Sequence, residues 1–332
     1  MVASIAHVRK PIAECLRAYA GEKRAELARI NPLGPDVAER LLASSLQGKM
    51  LRGCLVHLGW SIAAGHAASD EPIQPVVIAA AAMELFQSGL LVHDDIMDQD
   101  RTRRGADSLW CQYEGVASAD GQTEPSRVGT SLAICAGDVA YFLAFELLTR
   151  MKSEPWIVKT ALGACAAELT RVGVAQMQDV SWGASRRDVD ERDILRMYTY
   201  KTGRYTFSLP LLVGALIGGA AAPLDDELAS LGESIGMLFQ IRDDELGLFG
   251  SAEETGKPVG SDVREGKKTL FASRLLAAAS PEERRRLDGI FGNSSCTAED
   301  IVYVRGLLRD KGIREKVDTI ATELAAETRS RI

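Results

Sequence analysis

Residues 73–96, IQPVVIAAAAMELFQSGLLVHDDI, are apolar on nearly every side of a helical wheel. A helix without a polar face belongs in the middle of a bundle, with other helices around it. The run then ends abruptly in charge, HDDIMDQDRTRRG. Asp94 and Asp98 stand four residues apart, so on a helix they share one face, with Asp95 beside them. Like charges at that spacing repel, and the helix C-terminus disfavours anions. A hard divalent cation between the carboxylates offsets both costs. Mg²⁺ takes oxygen ligands, commonly one or two carboxylates with waters and substrate phosphate. The plain alternative is a solvated acidic helix end. An EF-hand loop fails, because the acids do not alternate at the required positions and glycine is missing from the sixth place.

A second cluster, FQIRDDELG, strengthens the metal reading. Gln240, Asp243 and Asp244 fall at i, i+3 and i+4, again on one helical face and again after an apolar run. Basic residues accompany both clusters: Lys49 and Arg52 in GKMLRG, Arg103 and Arg104 behind the first cluster, Lys201 and Thr202 in YKTGR, and Lys257, Lys267 and Lys268 in a glycine-rich stretch after the second. Singly, each reads as a surface charge. Together, arginine forks and lysine point charges beside two acid clusters describe a site for a polyanionic phosphate compound. Neither a GxxxxGK[ST] loop nor a strand-borne GxGxxG is present.

Most other segments carry a helical period, and no alternation typical of a half-exposed strand is sustained. Aromatics are only 6% while alanine and leucine abound, which favours helix over strand. The predicted architecture is one all-α domain over residues 1–332. Two stretches, 115–129 and 247–268, read as loops within it. The run 209–224 reads as a core helix too short and too rich in glycine and proline to span a bilayer. The N-terminus has no secretory h-region, so a cytoplasmic location is expected. Six scattered cysteines without metal-ligand spacing read as buried reduced thiols. A net charge of −7 argues against a nucleic-acid surface.

In order along the chain, these elements resemble the trans-isoprenyl diphosphate synthases, the polyprenyl synthetase family, and within it the bacterial geranylgeranyl diphosphate synthases. LLVHDDIMDQDRTRRG is similar to the family's first aspartate-rich motif and FQIRDDELG to its second. GKMLRG, AGDVAYFLAFELL, AQMQDV, YKTGRY and TGKPVGSDVREGKKTL match its remaining elements. The resemblance implies an isoprenoid-synthase helical bundle around a deep central cavity, a homodimer, and three Mg²⁺ ions. It implies that Asp94, Asp98 and Asp243 hold metal, supported by Asp95 and Asp244. It assigns the allylic diphosphate to Arg103, Lys201, Thr202, Gln240, Lys257 and Lys267, and isopentenyl diphosphate to Lys49, Arg52, Gln87 and Arg104. The implied reaction ionises the allylic diphosphate, adds the alkene of isopentenyl diphosphate and loses a proton. His93 is then structural.

The chain departs from the family pattern in places. Gly247 replaces the third acid of the second motif, Met50 and Gly53 stand for Arg and Pro, and Gln87 stands where many members have His. In the family, bulky aromatics just before the first motif stop growth at fifteen carbons. Gly89 and Leu90 stand there, which predicts a longer, C20 product with Phe86 as the floor beside Leu85. Alternatively, Gly89 serves only a close helix–helix contact. C15 or C25 and longer products, a class I terpene cyclase, and a non-catalytic subunit of a heteromeric synthase are the competing readings.

Overall fold

The computed structural model describes residues 2–67, 70–220, 222–250 and 260–330. Their described parts fall into two compact units, Met1–Ala166 with Leu209–Ala229, and Ala167–Ser208 with Ser230–Ile332. The apolar segment is helix α4 (Gln74–Met97) of the first unit. Pro75 opens it and Asp98 caps its C-terminus. As its composition predicts, it is enclosed: Ala79 to Met83 and Phe86 have no exposed surface. Around it in that unit lie α1 (Val2–Leu27), α2 (Leu33–Leu46), α3 (Leu51–Ala64), α5 (Leu109–Ala119), α6 (Pro125–Leu148) and α9 (Leu209–Ile217).

After α4 the chain makes a feature the hydropathy pattern did not reveal. β1 (Thr102–Arg103) pairs antiparallel with β2 (Ala106–Asp107), in register Thr102↔Asp107 and Arg103↔Ala106. The two loop residues both have positive φ, Arg104 at 55° and Gly105 at 77°. That is the backbone of a type I′ hairpin, whose twist matches the strands.

The second unit carries the C-terminal part of α7 (Pro155–Gly183), α8 (Glu191–Tyr198), a π-helical turn (Thr199–Ser208) and most of α10 (Ala222–Phe249). Then follow α11 (Ser261–Glu265), α12 (Leu270–Ala278), α13 (Pro281–Ile290), α14 (Ala298–Asp310) and α15 (Ile313–Arg329). Reciprocal capping boxes, Ser280 with Glu283 and Thr297 with Asp300, start α13 and α14. Ile194, Tyr198, Leu270, Phe271, Leu275, Leu287, Val304 and Val317 form its core.

Almost wholly helical architecture meets the expectation, and several local expectations are corrected. Most of 115–129 is helical, because Ala119 ends α5 and Pro125 already starts α6. The 209–224 run is two helices, since Gly219 with φ of 82° stops the first and α10 begins at Ala222. In 247–268, Gly247 still lies in α10 and residues 261–265 form α11, while Lys257 lies outside the described residues. Among the described residues, α4 and α6 are the two helices long and apolar enough by composition to cross a membrane, and α4 is mostly buried within the protein. Cys135 is exposed, unlike the expected buried thiols Cys111, Cys165 and Cys296.

Candidate active site

The candidate residues fall into two groups, one in each unit. In the first, the end of α4 and the hairpin act together. Asp98 as C-cap donates its N–H to the Asp94 carbonyl at 2.8 Å, so the two carboxylates sit on the same helical end. Asp94 is partly open to solvent, whereas Asp95 turns inward and is 3% exposed. Strand β1 delivers Arg103 to the buried acid. Its Nε donates to Asp95 Oδ1 at 2.7 Å, and Nη2 reaches Asp94 at 3.4 Å and Asp100 at 3.3 Å. Burial pushes the Asp95 carboxyl up to about 6, against the pull of Arg103.

The turn residue Arg104 points elsewhere. Its Nη1 donates to the Ser44 carbonyl at 3.3 Å, and its guanidinium lies against Gly48, where a Cβ would stand 3.0 Å from Nη1. The hairpin thus splits the arginine pair, Arg103 to the aspartates and Arg104 to the GKMLRG turn. In that turn Lys49 is exposed, Met50 is left-handed with φ of 52°, and Arg52 enters the first turn of α3 half-buried. A residue that sequence reading missed holds this turn. Glu84 of α4, 5% exposed, accepts the Gly53 N–H at 2.9 Å at the N-terminus of α3. Burial raises its carboxyl above the usual range, while the Gly53 and Arg52 amides and the charges of Arg52 and Arg104 pull it down. Glu84 lies three residues before the half-buried Gln87, so a glutamate inside an apolar helix was the available signal.

In the second unit the π-helical turn aligns the second cluster. Such turns are rare and often occur at functional sites. Thr202 donates to Gln240 Oε1 at 2.6 Å, and Gln240 Nε2 donates to Asp244 Oδ1 at 2.8 Å. The Tyr198 hydroxyl donates to Asp244 Oδ2 and accepts the Leu270 N–H at 3.1 Å. Asp244 is therefore fully enclosed, and burial pushes its carboxyl up to about 8, with Asp262 and Asp243 adding to the rise. Asp243 is exposed. Lys201 is ion-paired with Asp179, and Lys267 lies 2.6 Å from Glu265 and 3.7 Å from Asp262. Both aspartate pairs thus share one design: the first acid opens to solvent and the second is buried and hydrogen-bonded.

Gly247 has a physical reason. A Cβ built there would lie 2.4 Å from Asp262 Oδ2. The Asp262 carboxylate of α11 fills the place where a third acid on α10 would begin. Gly89 is equally confined. Its Cβ would meet Tyr141 Cε1 at 2.7 Å and the Gly137 carbonyl at 2.9 Å. The space that Gly89 and Leu90 were expected to leave is taken on the Gly89 side by Tyr141, and the close helix contact is real. Phe86, one turn away, is buried against Phe145 with ring centroids 4.8 Å apart. His93 Nε2 hydrogen-bonds the Ile134 carbonyl at 3.1 Å.

The polyprenyl synthetase family model matches residues 36–308. The chain belongs to the polyprenyl synthetase family. Its members are trans-prenyltransferases, and the resemblance drawn from the motifs is borne out. This polyprenyl synthetase is 34% identical over 235 residues to the geranylgeranyl diphosphate synthase of Sulfolobus acidocaldarius, covering 70% of this chain and 66% of that protein, a little under two thirds. It is 32% identical over 297 residues to the (2E,6E)-farnesyl diphosphate synthase of Mycobacterium tuberculosis, covering 83% of this chain and 77% of that one. Its fold is similar, with a TM-score of 0.91 at 29% identity over 98% of this chain and 92% of the other, to a Corynebacterium glutamicum geranylgeranyl pyrophosphate synthase solved with isoprenyl diphosphate and magnesium.

Proposed function

We propose that this polyprenyl synthetase condenses isopentenyl diphosphate with allylic diphosphates of five, ten and fifteen carbons, head to tail, to geranylgeranyl diphosphate. The observation that carries the reading is the repeated acid pair, one carboxylate open and its neighbour buried, in both Asp94–Asp95 and Asp243–Asp244. Asp94, Asp98 and Asp243 are hard oxygen donors at accessible helix positions, a donor set that fits Mg²⁺, and we assign three ions to them. Bound Mg²⁺ supplies charge stabilisation for a departing diphosphate.

The side chains do the rest. Arg103, Lys201, Thr202, Gln240, Lys257 and Lys267 bind the allylic diphosphate. Lys49, Arg52, Gln87 and Arg104 bind isopentenyl diphosphate. Asp95 and Asp244 orient the groups around them through Arg103 and Gln240. With its charge so stabilised, the diphosphate leaves with the electron pair of the allylic C–O bond. The alkene of isopentenyl diphosphate attacks the cation, and the released diphosphate takes the proton. The hydrocarbon tail extends from the acids along the apolar part of α4. Residues 1–332 serve as one catalytic domain, cytoplasmic and homodimeric. Exposed Ile134 and Phe142 on α6 supply an apolar face for a second copy.

The purified protein is incubated with MgCl₂, isopentenyl diphosphate and each allylic starter in turn, and products are resolved by chain length. Consumption of isopentenyl diphosphate with a C20 product is expected. A terpene cyclase would leave isopentenyl diphosphate untouched, and a regulatory subunit would turn nothing over.

A further inference from the structure

A tail that grows by five carbons in each cycle stops where the protein leaves it no room. Beside α4 that obstruction comes from another helix. The Tyr141 ring of α6 covers Gly89 so closely that a Cβ there would stand 2.7 Å from Cε1. The ring is held in place. It packs edge-on against His93, centroids 5.4 Å apart at 75°, with its hydroxyl 3.5 Å from His93 Nδ1. His93 is itself fixed to the Ile134 carbonyl at 3.1 Å and lies 3.6 Å from Asp138. Gly137 allows the imidazole in, since a Cβ there would stand 2.3 Å from Nε2. Gly89 precedes Asp94 by five residues, roughly 7–8 Å along the helix axis at a rise of 1.5 Å per residue.

We propose that Tyr141, reaching across from α6 into the space over Gly89, is the residue that sets product length in this chain. The proposal rests on the prenyl-elongation reading above. It replaces a floor built on α4 itself by an aromatic wall carried on the facing helix. Gly89 is small because the ring needs its place, and a larger residue at 89 would displace the ring as well as fill the space. Phe86 against Phe145 forms the next barrier one turn further on.

The experiment compares wild type with Tyr141→Ala, Tyr141→Leu and Tyr141→Phe, each with Mg²⁺, isopentenyl diphosphate and, in turn, the five-, ten- and fifteen-carbon allylic diphosphates. Product length is read by chromatography, and folding by circular dichroism. Tyr141→Ala and Tyr141→Leu are expected to move the major product up by one or more five-carbon units. Tyr141→Phe keeps the ring and is expected to keep the wild-type product. Should the alanine variant not fold, the leucine variant carries the test. An unchanged product distribution from a folded, active alanine or leucine variant overturns the proposal. Failure of the wild type to consume isopentenyl diphosphate with any of the three starters instead overturns the elongation reading on which it rests.

Discussion

At the scale of single residues, buried acids organise their surroundings. Glu84 ties α4 to the first turn of α3, which contains Arg52 and follows Lys49, both assigned above to isopentenyl diphosphate. Replacing it by leucine leaves a helix N-terminus without its acceptor, a loss of about 1–3 kcal/mol. Glu84→Leu is therefore expected to raise KM for isopentenyl diphosphate about tenfold, with a smaller effect on the allylic substrate, while Glu84→Gln retains the acceptor and most of the affinity. Steady-state kinetics with each substrate varied in turn checks this. The acid also predicts a pH effect. Its carboxyl is raised on folding, so the native state holds the proton more tightly than the unfolded chain does. Its contribution to stability is greatest below the unfolded value and declines as pH rises through the raised one. Thermal melts should show Glu84→Gln gaining on wild type as pH rises.

Gly247 tests the same scale from the opposite direction. Restoring the family's acid by Gly247→Asp drives a Cβ and a second carboxylate into Asp262. A loss of about 1–3 kcal/mol is expected from overpacking alone. Adding Asp262→Ala should recover most of it. Additive losses in the double variant, measured by denaturant unfolding, would show that the two side chains do not compete for one place.

At the scale of elements, two short irregular pieces position the candidate residues. The hairpin after α4 sends Arg103 to the aspartates and Arg104 to the GKMLRG turn. The π-helical turn brings Thr202 to Gln240, while Tyr198 just ahead of it braces Asp244. Tyr198 serves two partners at once, the buried Asp244 and the Leu270 amide that begins α12. Tyr198→Phe removes both of these hydrogen bonds and leaves Asp244 with that from Gln240, so a destabilisation of about 2–5 kcal/mol is expected in equilibrium unfolding. A change below about 0.5 kcal/mol would mean that the bridge is dispensable. Neither piece was visible in the hydropathy pattern. A two-residue strand is too short to alternate, and a π-turn keeps the composition of an α-helix. The Arg104–Gly105 pair held the one local hint, since glycine in a turn admits positive φ.

At the scale of the whole molecule, α6, like α7 with its exposed Val174 and Met177, leaves large apolar side chains open to solvent. Phe142 is 71% exposed and Ile134 44%. If that face joins two copies, Phe142→Glu should shift sedimentation from dimer to monomer and lower Tm, and an unchanged sedimentation coefficient would remove α6 from the interface. The sequence by itself determined that the chain is helical, that α4 is enclosed, and that two acid pairs each stand at the end of an apolar run with basic residues near them in sequence. Those properties follow from local periodicity, burial preference and charge, which each residue carries wherever the chain goes. Only the tertiary structure decided which acid of each pair is buried, that Glu84 holds α3, that Asp262 stands at Gly247, and that Tyr141 covers Gly89. Each of these depends on which side chain arrives from a distant part of the chain, and close packing leaves room for one occupant at each place.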